Sequence, residues 1–192
     1  MKITVFNIKG GQGKTTISLA LATLYDFYVI TNDEFSPIDS VLDSEKVIHL
    51  AQGSGLPTWP NRGLIYDFSG YPDEMVINAV NTSRWVIIPV SYRSPLDMQT
   101  TLSTIEEIEQ YNNNILLVAN QTKPDTSDNT CEILKTHYDY PIFEIKDSTA
   151  FVRMVEEKQS IEKLIAQIFL YSHHFEKPLE QVEALGIHIL MG

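Results

Sequence analysis

The sequence predicts an α/β fold, a mostly parallel twisted sheet with helices on both faces, doubly wound. Two observations carry this expectation. Short runs rich in β-branched and aromatic residues alternate with longer stretches of helical period along the 192 residues. No internal repeat, low-complexity tract or long linker interrupts the alternation, so one domain over residues 1–192 is expected. Parallel strands require right-handed crossovers, and ligands then bind beyond the carboxyl ends of the strands. The loops starting at Asn7, Thr31, Asp67, Pro89 and Asn120 should therefore share one rim.

The elements follow in order. Ile3, Val5 and Ile8, with Thr4 and Phe6, form a buried first strand that ends at a turn with glycines at 10, 11 and 13. From Thr15 to Leu24 there is no Gly or Pro, and Ile17, Ala20, Leu21 and Leu24 recur at helical spacing. Phe27 to Ile30 is too short for a helix and reads as a second strand; Val47 to Leu50 is a weaker third. Gly53 to Gly63, with Pro57 and Pro60, is a surface loop. Leu64-Ile65-Tyr66 is a strand leading into Asp67, Asp73 to Val80 a helix, and Trp85 to Ile88 a strand ending at Pro89. Pro95 opens a longer helix, with Leu96, Thr100, Leu102, Ile105 and Ile108 expected inward and Glu106, Glu107 and Glu109 outward. Ile115 to Ala119 is a strand, Cys131 to His137 a helix, Ile142 to Ile145 a strand, and Phe151 to Leu170 one helix or two.

Composition bounds the function. Lys plus Arg number 14 and Asp plus Glu 25, a formal net charge of −11, which disfavours strong attraction to phosphate backbones unless basic residues cluster. The single Cys131 cannot form an internal disulfide, in keeping with a reducing, cytoplasmic setting. No signal peptide is readable, and no run approaches the ~18 apolar residues needed to span a bilayer. His173 and His174 fall short of the ligand count of a structural zinc site and read as an exposed helix end.

The strongest chemical signal is Lys9-Gly10-Gly11-Gln12-Gly13-Lys14-Thr15-Thr16. Glycines let successive N–H groups point into one concavity, and the following helix adds its positive end. Lys14 adds a full charge for β- and γ-phosphates, and the Thr15 hydroxyl can hold Mg²⁺. The strict P-loop pattern would place its leading glycine at Ile8, so that pattern fails, and a second lysine, Lys9, stands inside the loop instead.

This segment resembles the deviant Walker A motif of the ParA/MinD family of cytoplasmic ATPases, which are P-loop NTPases, and matches it completely. The resemblance is strongest over residues 1–157. It implies ATP and Mg²⁺ as cofactors, with Gly10, Gly11, Gln12, Gly13, Lys14, Thr15 and Thr16 holding the nucleotide. It also implies that Lys9 reaches the phosphates of a partner across an ATP-bound homodimer. Leu64 to Asp67 looks like the Walker B strand, with Asp67 joining Thr15 at the metal. Asn120 matches the asparagine that contacts adenine, and Asn120-Gln121-Thr122-Lys123 lacks the Asp of a guanine-reading motif. The family's first switch carries Asp-x-Asp; here Thr31 takes the first place and Asp33 the second, with Asp39 as a rival. Lys9, Lys14 and Asp33 are accordingly the implied catalytic residues, and the missing carboxylate implies slow hydrolysis.

By resemblance, the expected function is an ATPase that dimerises on ATP and acts in plasmid or DNA partition or cargo positioning, stimulated by a ParB-like DNA-binding partner or an adaptor. The alternative is a nucleotide-switched regulatory module with little turnover. A metabolic ligase or kinase of related fold is a third reading. The segment from Glu176 to Gly192 carries Lys177 alone as a basic residue and disfavours the MinD-type membrane helix. Direct DNA contact, weak and non-specific, would fall to Arg62, Arg84, Arg93, Lys123, Lys135, Lys146, Arg153, Lys158 and Lys163.

Overall fold

The computed structural model describes residues 1–51, 53–59, 62–123 and 130–192. Pro60, part of the expected surface loop, lies outside them. Seven strands form one sheet: β1 (Lys2–Phe6), β2 (Tyr28–Thr31), β3 (Val47–His49), β4 (Leu64–Phe68), β5 (Trp85–Val90), β6 (Ile115–Thr122) and β7 (Ile142–Lys146). Their order is β3-β2-β4-β1-β5-β6-β7 and every pairing is parallel, so the expected mostly parallel sheet is parallel throughout the described residues. After β1 the chain winds to one side and returns through β4, then crosses to β5 on the other side. The carboxyl end of β1 is thus the switch point at which such sheets open a crevice.

Among the described residues, eight α-helices cover the faces. On one side lie α1 (Lys14–Tyr25), α2 (Ile38–Val41), α6 (Thr149–Glu156), α7 (Ile161–Gln167) and α8 (Phe169–Met191). On the other lie α3 (Glu74–Thr82), α4 (Pro95–Glu109) and α5 (Thr130–His137). Alternation along β1 divides its side chains between the two cores: Ile3 and Val5 pack with Ile17 and Leu21 of α1, while Phe6 packs with Val76 and Val80 of α3. Side-chain caps start α3 at Asp73, α4 at Ser94, α6 at Ser148 and α7 at Ser160.

Several local expectations change. The first strand stops at Phe6, before Ile8, because the Asn7 side chain turns back to hold the Lys9 N–H at 2.9 Å. Pro89 does not end β5. The ladder to β1 has already stopped at Ile87, so the missing N–H of Pro89 costs nothing on that side, and Pro89 pairs only with Val118 of β6. Leu96 is 61% exposed rather than inward. With Ser94 as cap, the buried stripe of α4 runs through Asp97, Met98, Thr101, Thr104, Ile105 and Ile108. The helical region beyond Phe151 breaks into α6 and α7, and the apolar tail is the longest helix, α8, which tolerates Pro178 within it. Phe175, Val182, Leu185 and Ile189 of α8 enter the core shared with α1. His173 and His174 are exposed near its start. Among the described residues, no helix is long and apolar enough to cross a membrane.

Candidate functional site

Residues 7–13 leave the switch point and deliver the chain into α1. Gly13 takes the cap position with φ 86°, and no side chain caps the helix, so its first N–H groups stay open toward the rim. Asn7 anchors the loop base. Fully buried, it donates to the Pro89 carbonyl at 2.8 Å and accepts from the Lys9 N–H, joining the ends of β1 and β5. Asn120, 3% exposed, braces the other end of the loop: its amide donates to the Gln12 carbonyl at 2.8 Å. A Cβ on Gly13 would stand 2.0 Å from that amide nitrogen.

Lys14, Thr15 and Asp67 converge behind the loop. Thr15 Oγ1 donates to Asp67 Oδ2 at 2.8 Å, and Ser18 Oγ donates to Oδ1 at 2.9 Å. Burial lifts the Asp67 carboxyl from its ordinary 3.8 to about 6, against the lowering action of both hydroxyls and of Lys14; the nearby Asp33 adds to the rise. Lys14 is itself buried. Its pKa falls, chiefly through desolvation, although Asp67 and Asp33 pull it upward, and Nζ donates to the Lys9 carbonyl at 3.1 Å.

Lys9 folds back within its own chain. Its Nζ lies 3.5 Å from Asp97 Oδ1, on the first turn of α4. Burial raises the Asp97 pKa, but the Ser94 hydroxyl, the Lys9 ammonium and the Arg93 backbone outweigh it and hold the carboxyl below its usual range. Gly10 and Gly11 complete the turn, and Thr16 opens onto a cleft of about 240 Å³ lined with Asn120, Asp147, Ser148 and Phe151.

The loops after β2 and β4 are joined by a residue that the sequence reading passed over. The Asn32 amide donates to the Ser69 carbonyl at 3.0 Å and accepts from the Ser69 N–H at 2.9 Å, imitating a backbone ladder between the two loops. Asp33 follows it, near Lys14 and Asp67 in electrostatic terms, with its N–H held by Thr31 Oγ1 at 3.1 Å. The rival Asp39 sits on α2 and bonds His49 at 2.6 Å. Ser18 was also passed over, though its hydroxyl three residues after Thr15, in a run of Ala and Leu, was a readable signal.

Some of the basic residues expected to meet DNA have partners within the chain. Arg153 pairs with Glu156 and Glu157, Lys123 with Asp147, and Arg62 lies over the Tyr28 ring.

The family described as the CobQ/CobB/MinD/ParA nucleotide binding domain matches residues 3–161. The fold is similar to that of the septum site-determining protein MinD complexed with Mg-ADP from Pyrococcus horikoshii, at 15% identity and a TM-score of 0.69, covering 98% of each chain. It is similar to apo McdA from Cyanothece at 14% identity and a TM-score of 0.65, over 95% of this chain and 98% of that one. A ParA family ATPase from Chlorobium tepidum shares 15% identity at a TM-score of 0.63, over 97% and 98% of the respective chains. No curated protein matches the sequence.

Proposed function

Because the chain belongs to the CobQ/CobB/MinD/ParA nucleotide-binding family, we propose that it is an ATPase of the ParA kind, which dimerises on ATP to position DNA or another cargo. The observation that carries the reading is the convergence of Lys14, Thr15 and Asp67 behind an open helix N-terminus at the switch point of the sheet. We read residues 1–192 as one nucleotide-binding domain, supported by the seating of α8 in the core shared with α1.

The residues fit a magnesium nucleotide. Asp67 is a buried carboxylate with two hydroxyl donors and a raised pKa, a cost that a divalent cation removes. Thr15 and Asp67 are the groups that would hold Mg²⁺, which neutralises charge on the β- and γ-phosphates when bound. The N–H groups of Gly10 to Thr16 form the cradle, and Lys14 exchanges the Lys9 carbonyl for a phosphate oxygen. Asn120 and the cleft beside Thr16 take the adenine. Asp33 orients the attacking water, held in place through Asn32 and Ser69.

Lys9 acts on the partner subunit's nucleotide. The Lys9 side chain is 38% exposed and its Nζ stands 3.5 Å from Asp97, a long contact that the Ser94 hydroxyl also supports from the other side. A triphosphate offers that lysine several charge-assisted bonds in exchange for the one contact with Asp97, which keeps its Ser94 hydroxyl donor. The partner that stimulates hydrolysis is a ParB-like or adaptor protein. Direct DNA contact is the lesser part, since several basic side chains are already paired.

A second reading rests on Thr31. Where the family's switch has a carboxylate, a buried hydroxyl accepts the Asp33 N–H, which suits a nucleotide-gated adaptor with little turnover. Solution mass with ATP and with ADP, for the wild type and Lys9→Ala, tests the main reading. A dimer with ATP alone that is lost in Lys9→Ala is expected; a monomer in every nucleotide state would defeat it. Turnover abolished by Asp33→Ala favours the ATPase, and no measurable turnover with any partner favours the adaptor.

A further inference from the structure

We propose that Arg93 is a phosphate-sensing cation that contacts the terminal phosphate of a triphosphate bound in the 9–16 loop of its own chain. This rests on the nucleotide-binding reading above.

The side chain stands at the tip of the loop. Arg93 is exposed, yet a Cβ added to Gly11 would lie 4.0 Å from its Nη1, so the guanidinium borders the glycine turn. It is held there. Gln121 Oε1 accepts from Arg93 Nη2 and, at 3.1 Å, from Ser91 Oγ. Gln121 has φ 56°, and the β6–β7 register shifts between Asn120 and Thr122 at the same point. A non-glycine residue in the left-handed region is disfavoured, and such a conformation persists where the surroundings over-determine it. Here the irregularity turns the Gln121 carboxamide toward Arg93. The segment is also tied to the loop itself, because the Ser91 N–H donates to Gln12 Oε1.

Charge points the same way. Lys9, Lys46, Lys123 and Arg153 each face a carboxylate. Among the described residues, the hydrogen-bond partner of the Arg93 guanidinium is a neutral amide. Its charge is left for an anion, and its planar fork suits a phosphoryl group.

Polarity along the loop selects which phosphate. The base cleft opens at Thr16, Asn120 and Asp147, at the helix end of the loop. The phosphate chain then runs from Thr16 back toward Gly10 and Gly11, the end toward which Lys14 already reaches. Arg93 borders that far end at Gly11, and the cleft of about 430 Å³ onto which it opens adjoins the base cleft, sharing Gln121 and Asp147 with it. Its position beside Gly11 is the one that faces the γ-phosphate.

The test is titration of the magnesium salts of ADP and of a non-hydrolysable ATP analogue into the wild type, Arg93→Ala, Arg93→Lys, Gln121→Asn and Lys14→Ala. Asparagine tolerates the left-handed backbone but is one methylene too short to hold Arg93. Arg93→Ala should bind the triphosphate at least 10-fold more weakly and ADP within 2-fold of wild type. Arg93→Lys should recover part of the loss, and Gln121→Asn should show the same selective loss at smaller size. Equal loss of both nucleotides, or no loss of either, overturns the role of Arg93 while nucleotide binding stands. A wild type that binds neither nucleotide overturns both. Lys14→Ala should lose both nucleotides, and unchanged melting temperatures of the Arg93 variants, whose site is exposed, separate the effect from misfolding.

Discussion

Gly13→Ala tests the claim that the loop is braced by Asn120. Gly13 has φ 86°, where an alanine is strained by roughly 1–2 kcal/mol. The added methyl would stand 2.0 Å from Asn120 Nδ2 and 3.2 Å from its Cγ, so Asn120 must swing away. That breaks its 2.8 Å bond to the Gln12 carbonyl in a buried site, worth about 1–3 kcal/mol. The single variant should therefore lose about 3 kcal/mol in urea unfolding followed by circular dichroism. Asn120→Ala alone should lose about 1–2 kcal/mol, because it removes the same bond without the clash. Once Asn120 is gone the methyl has room, so the double variant should be about as stable as Gly13→Ala alone. Strict additivity, or a Gly13→Ala cost under about 1 kcal/mol, would refute the bracing argument.

Two further outcomes follow from the same site. Asp67 holds its proton more tightly in the folded nucleotide-free protein than in the unfolded chain, so its contribution is full below pH 3.8 and lost as pH rises through about 6. The stability advantage of Asp67→Asn over wild type, measured in EDTA, should thus grow by about 2 kcal/mol between pH 4 and 7; a pH-independent difference contradicts the burial argument. Asn32→Ala should cost about 1–2 kcal/mol and expose the Ser69 amide, now held at 2.9 Å, to faster hydrogen exchange. Unchanged protection at Ser69 would mean that the two loops are not coupled through Asn32.

Much of the fold was legible because its signals are local. Strands buried on both faces need continuous apolar runs, and Ile3 to Phe6, Leu64 to Tyr66 and Ile115 to Ala119 supplied them. The end of α4 facing the loop was less legible. Leu96 fits the helical period, yet the Ser94 cap and the contact of Asp97 with Lys9 set the rotation of the helix. The long C-terminal helix was not legible either: it carries Pro178 within it, and its packing against α1 outweighs that breaker.

The sequence by itself determined the alternating α/β class, the glycine turn between β1 and α1, and the chemical identity of Lys9, Lys14, Thr15 and Asp67, because each depends on residue type and short spacing. Only the tertiary structure decided what those groups meet. Lys9 lies on Asp97 of its own chain, Ser18 joins Thr15 at Asp67, Asn32 ties two loops 37 residues apart, and Gln121 holds Arg93 beside the glycine turn. These contacts join the ends of strands that are neighbours in a parallel sheet but distant in the chain. Their partners are set by strand order and register, which no local pattern encodes.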